Sequence, residues 1–228
     1  MKLTFRMQYR TVWGENIRVI INEDEAHAMV LSTRNGIDWS GTSEYTLPEG
    51  MKQITYRYGV FRGANCIRKE LGAIAHSFYP GNAQQQHYII DDCWRDLPAD
   101  SFKYSSAFNE PHPCAAPVAI HDYVGSCITF RALCPGLYNK QQELGLIGSC
   151  DVLGNWEYCR PLRMQEVQPN VWHLTIDASS LQYPFEYKFV AVDSKTGSVT
   201  EWECGMNRTF HIQPLMRGET YLPMVTEV

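Results

Sequence analysis

The stretch Phe185-Glu186-Tyr187-Lys188-Phe189-Val190-Ala191-Val192 decides the fold of this chain. Its residues 185, 187, 189 and 191 are apolar, whereas Glu186 and Lys188 fall on the opposite face. A period of two is typical of a β-strand, because successive side chains of a strand point to opposite faces. The stretch therefore predicts a strand with one face in a core and one cation, Lys188, on its outer face.

Around this strand the chain repeats itself, which is the most informative feature of the sequence. The strand has a counterpart in residues 54–61, ITYRYGVF. Three further landmarks recur in the same order, displaced by about 125 to 133 positions: Thr4-Phe5-Arg6 as Thr129-Phe130-Arg131, Ile17–Ile21 as Leu144–Gly148, and Glu70-Leu71-Gly72 as Glu203-Cys204-Gly205. We interpret this as a duplicated structural unit.

The periodicity within each unit is that of short strands. Residues 171–176, VWHLTI, also alternate, and this places Trp172 on the same face as Leu174 and Ile176. Short strands separated by Gly, Pro, Asn and Asp are typical of a sandwich or barrel, and no segment carries a long helical stripe. The sequence predicts an all-β protein with two antiparallel immunoglobulin-like β-sandwich domains and an extended Pro-rich connector.

The predicted boundaries follow from changes in composition. We expect a first domain at 1–80, a connector at 81–125, a second domain at 126–214 and a tail at 215–228. The connector holds several prolines, which remove backbone donors and prevent long helices. It also contains Ile89-Ile90 and Trp94, so we expect it to pack along a domain for part of its length.

Charge and composition exclude several classes of function. The net charge is −5 and no Lys/Arg-rich block occurs, so nucleic acid is not an expected partner. No apolar run is long enough for a signal sequence or a membrane span, so we expect a cytoplasmic protein without a membrane partner. The eight cysteines form no Cys-x-x-Cys, and the irregular set His112, Cys114, His121 and Cys127 is not interpreted as a metal site. No cofactor is expected.

The second unit carries two tryptophans in polar loops. One belongs to the turn Leu153-Gly154-Asn155-Trp156, and the other to the segment Glu201–Arg208, which contains Trp202. Tryptophan rings on a surface cover the apolar faces of pyranose rings with little loss of entropy. Lysine, glutamate and asparagine side chains supply donors and acceptors for sugar hydroxyls.

From Ile128 to Ile212 the second unit closely resembles a starch-binding domain of carbohydrate-binding module family 20. The resemblance rests on four motifs in order: Leu146-Ile147-Gly148-Ser149, Leu153-Gly154-Asn155-Trp156, Glu186-Tyr187-Lys188-Phe189 and Trp202-Glu203…Asn207-Arg208. It implies a first sugar site formed by Trp156, Lys188, Trp202, Glu203 and Asn207. It also makes Trp172 a secondary candidate for a second sugar site, although the strand parity of Trp172 favours the core.

The first unit resembles the same family but lacks parts of the first site. Arg57 stands in the place of Lys188, and Lys69 stands in the place of Trp202. The segment Trp13-Gly14-Glu15-Asn16 resembles the opening of the family's second site. The hypothesis is a second-type site of Trp13, Trp39 and Tyr45, and the alternative is that these aromatics are core or domain-contact residues.

The tandem arrangement is similar to the front of a long-form 4-α-glucanotransferase of glycoside hydrolase family 77. The segments Asp91–Asp96 and Ser105–Phe108 are similar to the inter-domain stretch of those enzymes. Their catalytic barrel alone needs about 250 residues, so we expect this chain to be an N-terminal fragment with no catalytic residue. The expected partners are α-1,4-glucans such as starch, glycogen and maltodextrin.

Two alternatives remain open. One is a structural or dimerising role, through self-association or contact with the missing catalytic domain. The other is an enzyme acting on α-glucans in its own right.

Overall fold

The computed structural model describes residues 1–71, 75–81, 85–96, 125–135, 137, 141–212, 214–226 and 228. These residues divide into two compact units. Unit 1 contains the described residues of 1–96 together with Arg217–Pro223, and unit 2 contains those of 125–216 together with Met224–Val228. Strands form nearly all of the regular structure in the described part, so the predicted all-β class is confirmed.

Unit 1 is built from two sets of paired strands. The first set runs in the order β4 (Ser32–Thr33), β5 (Asp38–Glu44), β1 (Lys2–Gln8), β9 (His87–Cys93) and β18 (Glu219–Val225). The second runs β3 (Met29–Val30), β2 (Glu15–Ile21), β6 (Ile54–Arg62) and β7 (Asn65–Lys69), and β8 (His76–Phe78) also pairs with β6. The core contains buried residues from both sets, among them Phe5, Ile17, Tyr56 and Ile90.

Unit 2 repeats this plan. Its first set runs β13 (Gln165–Gln168), β14 (Val171–Asp177) and β10 (Cys127–Leu133). Its second set runs β12 (Leu162–Arg163), β11 (Gln142–Gly148), β15 (Phe185–Asp193) and β16 (Val199–Trp202), and β17 (Arg208–Phe210) also pairs with β15. Short 3₁₀ turns lie at Asp151–Trp156 and Ala178–Ser180. No helix in the described part of the chain is long and apolar enough to cross a membrane.

The stretch that decides the fold forms β15. Phe185, Tyr187 and Phe189 are buried as the alternation predicts, and Glu186 is exposed on the outer face. Val190 and Val192 are buried as well. They form a small outer cluster with Ile147, and Trp156 and Val199 pack against this cluster.

The predicted duplication is confirmed by strand register. In unit 1, Met7 lies opposite Trp39 in the pairing of β1 with β5. In unit 2, Ala132 lies opposite Trp172 in the pairing of β10 with β14. The register also agrees in the second set of strands. Ile17 of β2 pairs with Val60 of β6 in unit 1, and Leu144 of β11 pairs with Ala191 of β15 in unit 2.

The predicted domain boundaries need correction. Strand β9, inside the predicted connector, pairs in parallel with β1, so the first domain extends beyond residue 80. Most of β18, inside the predicted tail, pairs in parallel with β9. The physical reason is burial, since Ile90 and Leu222 are core residues of unit 1. Residues 97–124 of the predicted connector, which include Ser105–Phe108, His112, Cys114 and His121, lie outside the described residues.

Candidate functional site

A strained turn presents Trp156. Gly154 has a φ of 82°, and a Cβ at this position would lie 2.3 Å from the carbonyl oxygen of Arg160, so only glycine fits. Asn155 and Trp156 follow with φ of 48° and 62°. Left-handed backbone at residues other than glycine costs about 1–3 kcal/mol each and is found at functional sites. The turn is held by the amide of Asn155, which donates to the carbonyl oxygen of Cys150 at 3.1 Å.

Trp156 and Trp202 form a tilted aromatic pair. Their ring centroids are 6.3 Å apart and the ring planes meet at 38°. Trp202 ends β16 opposite Val190, and 41 % of its surface is exposed. Trp156 is half-buried, because it rests on the small outer cluster beneath it. The pair is therefore a shallow, partly exposed aromatic surface on one face of unit 2.

Lys188 lies on the outer face of β15, the face that carries the tryptophan pair. It fixes the loop that follows Trp202. Its ammonium group donates to the carbonyl oxygens of Glu203 at 3.1 Å and Gly205 at 2.8 Å. An ammonium group has three N–H donors. Among the described residues the third donor has no partner, so it can serve a hydroxyl group beside the tryptophans.

Asn207 lies next along this face. Its side-chain amide donates to Glu186 at 2.9 Å, and its carbonyl oxygen makes no hydrogen bond within the described part of the chain. Glu186 and Lys188 are two residues apart on one strand, so their side chains lie about 7 Å from each other. The face thus carries a row of polar groups that leads to the aromatic pair.

Glu203 is the member of the predicted set that does not face outward. Its side chain is only 8 % exposed. The carboxylate accepts a hydrogen bond from the amide of Phe189 at 3.0 Å and pairs with the guanidinium of Arg208 at 2.9 Å. The structure therefore brings four of the five predicted residues to one surface and turns the fifth inward.

The structure corrects the predicted second-type site at two positions, Trp39 and Trp172. Trp39 is 4 % exposed and donates its indole N–H to the carbonyl oxygen of Tyr9 at 3.0 Å. Trp172 is 6 % exposed. A ring enclosed in the interior cannot cover a sugar, so both are core residues, as the alternative interpretation of the sequence held.

Trp13 and Tyr45 do not form one site either. Trp13 is fully exposed in the turn just before β2. Tyr45 is half-buried and its hydroxyl accepts a hydrogen bond from Asn22, just after β2, at 2.7 Å. Strand β2 has seven residues and spans about 20 Å. The two aromatic residues therefore lie at opposite ends of this strand.

In unit 1 an ion-pair network occupies the face that corresponds to the tryptophan pair. Glu23 pairs with Arg57 at 3.0 Å and with Lys69 at 3.6 Å, and Lys69 also lies 3.4 Å from Glu25. The hydrogen bond from Arg57 lowers the pKa of Glu23. Charged side chains that neutralise one another offer no flat apolar surface, which agrees with a degenerate first site in this unit.

Two residues of the site were not among the predicted residues. Glu186 holds Asn207, and strand parity could have found it, since it shares a face with Lys188. Arg208 holds Glu203. Its role depends on contacts across β15 and β17, which no local pattern in the sequence indicates.

An exposed tryptophan pair with adjacent polar groups on a β-sandwich is the arrangement expected of a carbohydrate-binding module. The comparison with known families specifies which kind of module it is. Residues 127–220 match the CBM_20 family, whose description is starch binding domain, and this part of the chain is a starch-binding domain of that family.

Several solved structures are similar to the chain at low identity. A family 15 glucoamylase from Hypocrea jecorina is 25 % identical with a TM-score of 0.39, over 51 % of this chain and 18 % of the glucoamylase. The family 20 module of a maltotetraose-forming amylase from Pseudomonas saccharophila is 18 % identical with a TM-score of 0.35, over 44 % of this chain and 98 % of that module. A family 26 module from Eubacterium rectale, solved with maltoheptaose, is 12 % identical with a TM-score of 0.25, over 94 % of this chain and 98 % of that module.

Proposed function

We propose that unit 2 binds α-1,4-glucan chains on the surface formed by Trp156 and Trp202, with Lys188 and Asn207 as hydrogen-bonding groups. The observation that carries the proposal is the tilted ring pair, 6.3 Å between centroids, on an exposed face. Two rings at an angle fit a glucan helix, whose successive glucose units turn relative to one another. The family of residues 127–220 supports the same ligand class.

The site is shallow, and this sets its expected affinity. A ligand on an open aromatic surface stays largely solvated, so each contact contributes modestly. A polymer such as glycogen presents many equivalent chain ends, which raises the effective concentration for a bound protein. We therefore expect weak binding of short maltodextrins and stronger retention on polymers.

Affinity electrophoresis in gels that contain glycogen, amylopectin or dextran tests the proposal. The wild-type chain should be retarded in the two α-1,4-glucans and not in dextran. Trp156→Ala and Trp202→Ala should each remove the retardation. Trp13→Ala is the matched control, because it removes an exposed tryptophan from unit 1. Retardation of both site variants, or loss of retardation in Trp13→Ala, would contradict the assignment to unit 2.

For unit 1 a structural role is the second candidate. It is favoured by the ion-pair network of Glu23, Arg57 and Lys69 at the position of the tryptophan pair. A concentration-dependent dimer in light scattering that Trp13→Ala abolishes would support a role in self-association. A strictly monomeric chain at all concentrations would count against it.

The parent protein is part of the same proposal. We infer that the chain belongs to a cytoplasmic 4-α-glucanotransferase and contributes binding without catalysis. The tandem order of two sandwiches supports this inference, together with the resemblance of residues 91–96. Incubation of the chain with maltotriose should yield no new oligosaccharides. New products, or secretion of the full-length protein from its cells, would contradict the inference.

A further inference from the structure

Glu203 attaches the backbone that follows Trp202 to strand β15. The amide of Glu203 donates to the carbonyl oxygen of Phe189 at 3.1 Å, and the amide of Phe189 donates back to the Glu203 carboxylate at 3.0 Å. Glu203 therefore binds both backbone groups of the residue next to Lys188. Because Trp202 precedes Glu203, the direction of its side chain depends on this double attachment.

Arg208 holds the carboxylate in place. Its Nε atom lies 2.9 Å and 3.2 Å from the two carboxylate oxygens of Glu203. Its guanidinium group lies 5.6 Å from the centre of the Phe189 ring, which adds a cation–π contact.

Packing alone does not support the loop. A cavity of about 370 Å³ is lined by Trp202, Glu203 and Arg208, among other residues. This cavity opens to solvent, so Trp202 packs against the protein on one side only. Besides the pairing of Trp202 with Val190 in the sheet, the ion pair and the hydrogen bonds of Lys188 to the loop carbonyls constrain this loop.

Unit 1 contains an equivalent glutamate, Glu70, but the residue before it is Lys69 instead of a tryptophan. The Glu70 carboxylate accepts the amide of Tyr58 at 2.9 Å and lies 2.9 Å from His76. The two units have the same strand register here. In unit 1, Tyr56 of β6 pairs with His76 of β8, and in unit 2, Tyr187 of β15 pairs with Arg208 of β17. A glutamate that keeps these bonds beside a lysine instead of a tryptophan is serving the fold and not a sugar.

We propose that Glu203 and Arg208 are positioning residues of the glucan site: their ion pair sets Trp202 against Trp156, and neither side chain contacts the sugar. This inference rests on the proposed function of unit 2, and it gives Glu203 a role different from the ligand role that the family resemblance implies.

The test combines maltoheptaose titration calorimetry with circular dichroism of the indole pair, whose electronic transitions couple at a centroid distance of 6.3 Å. Arg208→Ala should weaken binding roughly tenfold or more, because a displaced ring loses its contact. It should also remove the coupled signal, and Arg208→Lys should restore part of both. Glu203→Gln combined with Arg208→Ala should bind no more weakly than Arg208→Ala alone, because residues that act as one pair are non-additive. Glu70→Gln, the matched change in unit 1, should leave affinity and signal unchanged.

Two results would overturn the proposal: unchanged affinity and signal in Arg208→Ala, or an additive double variant. If Arg208→Ala does not fold, Arg208→Lys and Glu203→Gln decide. Lost affinity with an intact indole signal in Glu203→Gln identifies a direct sugar contact and overturns the positioning role. Joint loss of affinity and signal supports it. Failure of the wild-type chain to bind any α-1,4-glucan is a different outcome and removes the proposed function itself.

Discussion

His76 and Glu70 lie 2.9 Å apart in the interior of unit 1, where unit 2 has Arg208 and Glu203. Both side chains of the unit 1 pair are almost fully buried, and the other ring nitrogen of His76 lies 3.8 Å from Asp92. Asp92 in turn accepts the hydroxyl of Tyr58 at 2.8 Å. Burial raises the pKa of Tyr58 well above its usual value, so this hydroxyl remains a donor.

We expect His76→Ala to destabilise unit 1 by about 1–3 kcal/mol, because it removes a buried hydrogen-bond partner of the Glu70 carboxylate. Urea unfolding followed by circular dichroism measures the change. His27→Ala is the matched control, since His27 pairs with Asp24 on the surface. Its effect should stay below about 0.5 kcal/mol. Equal stabilities of the two variants would show that the buried cluster contributes nothing.

Trp39→Ala tests the assignment of Trp39 to the core. Removing a buried tryptophan typically costs about 3–5 kcal/mol, because a cavity remains. Trp13→Ala removes an exposed ring and should leave the melting temperature within the error of wild type. A Trp39→Ala protein with wild-type stability but weakened glucan retention would return Trp39 to the binding residues.

Gly154→Ala should distort the turn that presents Trp156, since a Cβ would lie 2.3 Å from a backbone oxygen. Glucan retention should fall together with the indole-pair signal. Gly197→Ala is the control in the same unit. It has a similar φ of 77°, but its Cβ would meet only the mobile end of the Arg163 side chain. Both variants carry the strain of a positive φ, so only Gly154→Ala should lose binding; loss in both would point to strain alone.

The ion-pair network of unit 1 predicts a lowered pKa for Glu23. The hydrogen bond from Arg57 should hold the pKa of Glu23 below its usual value of 4.5. The sign follows from linkage: a lowered carboxyl pKa stabilises the fold above the unfolded pKa, and this contribution disappears as the pH falls through the folded pKa. The contribution is small, because Glu23 is mostly exposed.

Carbon-detected NMR titration of Glu23 measures this pKa directly. Arg57→Ala should raise it towards the usual value. Arg62→Ala is the control, because Arg62 pairs with Glu15 and not with Glu23. An unshifted Glu23 in the wild-type chain would mean that the network does not form in solution.

Local patterns in the sequence, together with the family resemblance, predicted most of the candidate site. The alternation around Lys188 identified the strand and its outer face, and the Leu-Gly-Asn-Trp motif identified the turn that carries Trp156. The same patterns could not decide the orientation of Glu203. That orientation depends on Arg208, which is five residues away in the chain but bonds across the edge of β15.

The sequence by itself determined the two-residue period of the strands, the duplication and the glycine turn. Each of these depends on neighbouring residues and their backbone angles, which the chain specifies locally. Only the tertiary structure decided that Trp39 and Trp172 are core residues, that β9 and β18 complete unit 1, and that Glu203 faces inward. These outcomes depend on which distant strands pair and what they bury, because burial is a property of the whole packed unit.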